Sequence, residues 1–136
     1  MKFSGREDIE APIAHVWRQV SDFAVFERQA MRRGADVRRV DSGPIVVGSA
    51  WDVAFSFRGK DRRLKAQMVT LEAPQTLQMK TMSTGIDGLV NIDLVALSPH
   101  RTRFAMSIDL SAKSLSARLL LQSLKLAKAN LTNRFK

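Results

Sequence analysis

Trp51-Asp52-Val53-Ala54-Phe55-Ser56-Phe57-Arg58 is the stretch that decides the fold. Its large apolar residues fall at every second position, and that period puts them on one face of a β-strand, with Asp52, Ala54, Ser56 and Arg58 on the other. The pattern extends in both directions. Downstream, Gly59-Lys60-Asp61 predicts a turn into a strand over Arg62–Glu72, Ala73-Pro74 closes it, and Thr76–Ser83 follows. Thr84-Gly85-Ile86-Asp87-Gly88 predicts a hairpin, and two longer strands, roughly Leu89–Leu97 and Thr102–Ser111, meet at Ser98-Pro99-His100-Arg101. Upstream, Ala35–Asp41 reads as a strand ended by Ser42-Gly43-Pro44. Connections this short join antiparallel neighbours, so the middle of the chain is one sheet.

Both ends change period. Lys2 to Glu10 alternates loosely and passes through Ala11-Pro12 into Ile13, Val16, Trp17 and Val20, spaced by three and four as in a short amphipathic helix. Ser21-Asp22 breaks that helix, either residue suits the cap of a second, and Phe23, Phe26 and Ala30 continue to Gly34. Near the other end, Leu115 to about Phe135 contains no glycine or proline and predicts one long helix capped by Ser114 or Ser111. Ala117, Leu120, Leu121, Leu124, Ala127, Leu131 and Phe135 form its broad apolar face, and Leu115, Leu119 and Leu126 a narrower stripe nearly opposite.

The predicted class is α+β: a curved antiparallel sheet of about seven strands, two short helices and a long C-terminal helix, in a single domain over residues 1–136. A twisted sheet with one apolar face needs a cover, and the last helix supplies it. Curvature leaves hollow space beneath, and such apolar cavities are usual ligand sites. The residues expected to line it are Phe26, Trp51, Phe55, Phe57, Met68, Met79, Met106, Ile108, Leu120 and Leu124.

Composition removes several alternatives. The absence of cysteine excludes disulfides, thiolate nucleophiles, iron–sulfur clusters and cysteine-ligated zinc. Lys and Arg total 22 against 13 Asp and Glu, a net charge of +9, which favours anionic partners such as RNA or an anionic surface. Met1-Lys2-Phe3-Ser4-Gly5-Arg6-Glu7-Asp8 has no apolar run of signal-peptide type, so a cytoplasmic location is expected, and no apolar run is long enough to span a bilayer.

No catalytic constellation emerges. His15 falls on the polar side of the first helix and His100 at a hairpin tip, without partners at the spacing of a metal site, so neither a metal nor a cofactor is expected. Gly85-Ile86-Asp87-Gly88 fits a GxxG pattern but lies between strands, where a hairpin turn explains it. Asp8 and Glu10 share one face of the first strand and suit surface pairing with basic strands. The pairs Arg32-Arg33, Arg38-Arg39 and Arg62-Arg63 concentrate positive charge. Within a strand, one member of each pair points inward or sits at an edge, and an inward arginine could orient an acidic ligand.

Three stretches resemble the helix-grip superfamily of START domains, Bet v 1-like proteins and polyketide cyclase/dehydrase-like proteins, grouped as SRPBCC. Ile9-Glu10-Ala11-Pro12-Ile13-Ala14-His15-Val16-Trp17-Arg18-Gln19-Val20-Ser21-Asp22-Phe23 is similar to its strand, small-Pro, helix, Asp opening. Val47-Gly48-Ser49-Ala50-Trp51 resembles its glycine before the long strand, and Val69-Thr70-Leu71-Glu72-Ala73-Pro74-Gln75-Thr76-Leu77 its strand-Pro-x-x-Leu turn. The resemblance implies a helix-grip fold and binding of a small hydrophobic or amphipathic ligand between sheet and last helix. It also implies an alternative, a cyclase- or dehydratase-like enzyme in the same cavity, while the basic charge of the chain suggests another, a protein binding RNA, a ribosome or anionic membrane. The chain has no tyrosine, and Ala24-Val25-Phe26-Glu27-Arg28-Gln29 replaces the aromatic-proline stretch of the family.

Overall fold

The structure, a computed structural model, describes residues 1–123. Among them, the chain runs β1 (Lys2–Ile9), α1 (Ile13–Val20), α2 (Phe23–Arg32), β2 (Asp36–Arg39), β3 (Ala50–Phe57), β4 (Lys60–Glu72), β5 (Thr76–Ser83), β6 (Ile86–Ser98) and β7 (Arg101–Ala112). Residues 115–123, here α3, are helical. The strands form one antiparallel sheet of seven in the order β1-β7-β6-β5-β4-β3-β2. The predicted helix residues beyond 123, Leu124 among them, lie outside the described part of the chain.

Register carries the two-residue period across the whole sheet. Trp51, Val53, Phe55 and Phe57 of β3 pair with Ala66, Leu64, Arg62 and Lys60 of β4, and directly paired residues share a face. Further pairs extend this inner face to Met79, Thr81 and Ser83 of β5, to Gly88, Val90 and Ile92 of β6, and to Met106, Ile108 and Leu110 of β7. Register shifts between Met68 and Thr70 and between Ala96 and Ser98 mark bulges, which bend the strands that carry them.

Two hairpins are tighter than the sequence suggests. The β3–β4 turn consists of Arg58 and Gly59 alone, both with positive φ (52° and 74°), so Phe57 pairs directly with Lys60 and β4 begins there. Positive φ at both central residues is the type I′ geometry, whose twist matches that of paired strands. β6 likewise begins at Ile86, which leaves Gly88 inside the sheet between Thr81 and Leu110. A Cβ at Gly88 would lie 2.5 Å from Thr81 Oγ1 and 3.0 Å from Leu110 Cδ2, so only glycine lets these strands pair with both side chains in place.

Capping and burial hold the helices. Asp22 caps α2, its Oδ1 accepting from Val25 N at 3.3 Å, and Ser114 Oγ accepts from Ala117 N at 3.1 Å to start α3. Ala117 and Leu121 are buried, whereas Leu115 is 75% exposed and Leu119 58%. Thr102, with no exposed surface, donates from Oγ1 to Ala11 O at 2.8 Å and ties the β1–α1 corner to β7. The core sits at one end of the inner face, where Trp51, Ala66, Met68 and Leu77 are buried and Trp17, Phe23 and Ile45 pack against them. On the outer face Arg103 binds Asp8 at 2.9 Å and Arg101 binds Glu10 at 3.1 Å, the surface pairing expected of the acidic first strand.

Candidate functional site

The other end of the inner face is hollow. A cleft of about 880 Å³ opens between Phe55 and Phe57 of β3, Arg62 and Leu64 of β4, Thr81 and Ser83 of β5, Ile86 of β6, Leu110 of β7 and Leu120 of α3. Alternation points Phe55, Phe57, Arg62 and Leu64 to the same side of the sheet, and the Thr81 and Leu110 side chains close over Gly88 beside them. Gly85 has a matching role at the turn: Ala117 Cβ and Ser114 Oγ lie 3.3 Å from the position its Cβ would take, so the start of α3 rests on the β5–β6 turn. Lys113 N donates to Gly85 O at 2.6 Å and fixes the same corner. A second groove, lined by Phe26, Gln29, Ala30 and Arg33 of the α2 region with Phe55 and Ser56, adjoins the cleft through Phe55 and Gly34.

The structure gathers part of the expected lining set. Phe55, Phe57 and Leu120 line the cleft, and Phe26, 46% exposed, lines the adjoining groove with Phe55. Trp51 and Met68 are 4% and 1% exposed and belong to the packed core, and half-buried Met79 packs against it. Trp51 is fixed there by two neighbours: its Nε1 donates to Glu27 at 2.6 Å, and its ring lies 5.4 Å from that of Phe23. Met106 and Ile108 share the inner face farther along β7, Met106 remaining 37% exposed. Leu124 lies outside the described residues.

Leu64, Ile86 and Leu110 also line the cleft, and the period that placed Phe55 and Phe57 is the signal that could have found Leu64. The inward basic residues expected of Arg38-Arg39 and Arg62-Arg63 are Arg39 and Arg62, paired across strands with Trp51 and Phe55. Arg39 is fully engaged. Its Nε and Nη2 donate to Asp41 at 3.2 and 3.0 Å, and its Nη1 and Nη2 reach Gly43 O and Pro44 O at 2.6 and 3.0 Å. Bonds from Arg39, Ala50 N and Ser49 Oγ hold the Asp41 carboxyl well below its ordinary range. Among the described residues Arg62 makes one hydrogen bond, from Nε to Phe57 O at 3.1 Å, and its guanidinium lies 5.8 Å from the centre of the Phe57 ring. His15 and His100 are both exposed, and no group of acidic or histidine side chains among the described residues has the arrangement of a metal site.

These features define a class: an antiparallel sheet with an apolar inner face, two short helices after the first strand, and a helix following the last strand to line a cleft. No family model matches the sequence, and neither does any curated protein. Solved structures do match. The chain is similar to the Zhui aromatase/cyclase from a Streptomyces species, with a TM-score of 0.68 and 12% identity over 95% of this chain and 86% of the other. It is similar to Ara h 8.0201, with a TM-score of 0.65 and 11% identity over 94% and 91%, and to a START superfamily protein from Mycobacterium smegmatis, with a TM-score of 0.63 and 13% identity over 98% and 95%. The fold is therefore the helix-grip fold of START-like and Bet v 1-like proteins, as the sequence resemblance implies.

Proposed function

We propose that this protein binds a small apolar or amphipathic molecule in the cleft between the inner face of the sheet and α3. The observation that carries the reading is a space of about 880 Å³ with Phe55, Phe57, Leu64, Ile86, Leu110 and Leu120 on its walls. Apolar surface on both partners leaves water on binding, worth roughly 25 cal/mol per Å², while the Thr81 and Ser83 hydroxyls and the Arg62 guanidinium supply orientation. Binding is favoured over turnover by the side chains at hand. Asp61 is the one carboxylate of the described lining, it accepts from Ser56 Oγ at 2.8 Å, and the lining has no histidine. Residues 124–136 contain no aspartate, glutamate or histidine either. General acid–base chemistry would have only Asp61, already bonded to Ser56, and Lys60 to draw on in the described lining, without a histidine or a second carboxylate to orient either.

The test is a fluorescence titration with the neutral dye N-phenyl-1-naphthylamine, against the wild-type chain and Leu120→Trp. The wild type should give saturable, blue-shifted emission. The larger indole takes up space in the cleft, and losing roughly 60 Å² of apolar contact weakens the dye by about tenfold. No saturable response from the folded wild type, or an equal response from a folded Leu120→Trp, overturns the proposal.

A further inference from the structure

We infer that the ligand of this cleft is an amphipathic anion, with its tail against Ile86, Leu110 and Leu120 and its charged head on Arg62. The inference rests on the cleft being a ligand site and adds the chemical class of what enters it.

The comparison of the two inward arginines carries the argument. Both stand on the inner face beside an aromatic residue, Arg39 opposite Trp51 and Arg62 opposite Phe55. At Arg39 the fold supplies a carboxylate and two carbonyls, so that guanidinium is satisfied by the chain itself. At Arg62 the Nε bond to Phe57 O and the stack on the Phe57 ring fix the plane of the fork, and no ion pair among the described residues engages Nη1 or Nη2. Its sequence neighbours do not quench it. Asp61 and Arg63 border the cleft, but they pair across strands with Ser56 and Ala54, opposite in facing to Arg62, and the Asp61 carboxylate accepts from Ser56 Oγ rather than from Arg62.

A guanidinium stays charged at any pH a folded protein meets. While the cleft holds water, half-buried Arg62 is hydrated. A wholly apolar ligand would strip that water and leave the cation without a counter-charge, whereas an anionic head would replace the lost hydrogen bonds with two charge-assisted ones in the fork geometry guanidinium favours. The surroundings are polarised the same way. Lys60 and Arg63 line the cleft with the single carboxylate of Asp61, and the Arg58 guanidinium lies 5.4 Å from the Phe57 ring centre, so among the described residues cations outnumber the one acid at this end. Ile86, Leu110 and Leu120 make up apolar wall from β6, β7 and α3. Cationic and apolar parts within one cleft match the head and tail of a single amphiphile.

The recognised chemistry is a carboxylate or phosphate head, which a free amphiphile and a bilayer lipid both carry. The test titrates the full chain at neutral pH with decanoate and with 1-decanol, two tails of equal length that differ in charge. Decanoate should bind about 10- to 100-fold more tightly. Arg62→Gln should lower decanoate to the level of decanol and leave decanol within about twofold, which also shows that the variant is folded. Lys65→Gln, which removes the same charge from the outer face of the same strand, should change neither. Co-sedimentation with phosphatidylcholine vesicles containing phosphatidylglycerol separates the sources. Vesicle binding that Arg62→Gln leaves unchanged supports a free amphiphile, and Arg62-dependent vesicle binding supports a bilayer lipid presenting the same head. Equal binding of decanoate and decanol to the wild type, or equal weakening of decanoate by the two variants, overturns this inference and leaves the cleft a ligand site. Binding of neither probe overturns this inference, and the N-phenyl-1-naphthylamine titration then decides separately whether the cleft is a ligand site.

Discussion

The two ends of the inner face are made from the same strands and the same alternation, yet one is solid and the other hollow. At the Trp51 end, β3 and β4 face α1 and α2, and Trp17, Phe23, Ile45 and Met79 fill the space over Trp51, Ala66, Met68 and Leu77. At the Phe57 end the same two strands run into a two-residue turn, and α3 adds Leu120 from across a gap of about 880 Å³. Polarity follows packing. The inward arginine beside the solid end is satisfied by the chain, and among the described residues the one beside the hollow end makes a single hydrogen bond. Alternation thus makes an apolar face, while the elements laid over each half decide whether that face becomes core or cleft.

The sharpest way to break this contrast is to cut matching side chains from each half. Met68→Ala, at 1% exposure, removes packed volume with no route for collapse and should cost about 2–5 kcal/mol in chemical denaturation. Phe57→Ala, on the wall of the open cleft, should cost less than about 1.5 kcal/mol while weakening N-phenyl-1-naphthylamine by about tenfold. A larger stability loss at Phe57 than at Met68 would reverse the assignment of core and cleft.

Next in size is Thr102→Val, which keeps the shape but removes the 2.8 Å bond to Ala11 O. Leaving that part-buried carbonyl without its partner should cost about 1 kcal/mol without changing dye affinity. Gly88→Ala tests the join between the halves, since its Cβ would meet Thr81 Oγ1 at 2.5 Å. The two strands must separate to admit it, so dye affinity and midpoint should fall together, in contrast to the split expected at Phe57.

The smallest effect is a pH dependence. The folded Asp41 carboxyl titrates below its ordinary value of 3.8, so its contribution to stability is present above that value and is lost as pH falls through the lower, folded one. Wild type should therefore exceed Asp41→Asn in stability by a constant margin above about pH 5, and the margin should close as acid is added. A margin that does not change with pH would show that the charge of Asp41 is not what ties Arg39 and Ser49 to the β2–β3 connection.

The fold was legible because its signals are local. Alternation from Trp51 to Phe57, the spacing of Ile13, Val16, Trp17 and Val20, and a cap at Ser21 or Asp22 and at Ser111 or Ser114, which the structure resolves to Asp22 and Ser114, each need only a few neighbouring residues to be read. The hairpin ends were less legible, because whether Lys60 or Ile86 belongs to turn or strand depends on cross-strand pairing and on φ at Arg58 and Gly59. The cleft was legible only as a face. Period places Trp51, Phe55, Phe57 and Met68 on the same side of the sheet, but nothing within the strands says that α1 and α2 cover the first of these and leave Phe57 open. An inward arginine was foreseeable from Arg62-Arg63, since adjacent residues face opposite sides. Arg39 finds its carboxylate and carbonyl partners within five residues of chain, at Asp41, Gly43 and Pro44, whereas whether any acidic side chain reaches Arg62 depends on how the strands and α3 assemble and is a tertiary fact.

The central claim, that the Phe57 end is a receptor and the Trp51 end is structure, is tested most directly by intermolecular nuclear Overhauser contacts from the chain of 1-decanol to the labelled protein. The account predicts contacts to Phe57, Ile86, Leu110 and Leu120, with none to Met68 or Leu77. Contacts confined to the exposed Leu115 and Leu119, or spread evenly over surface methyl groups, would contradict it.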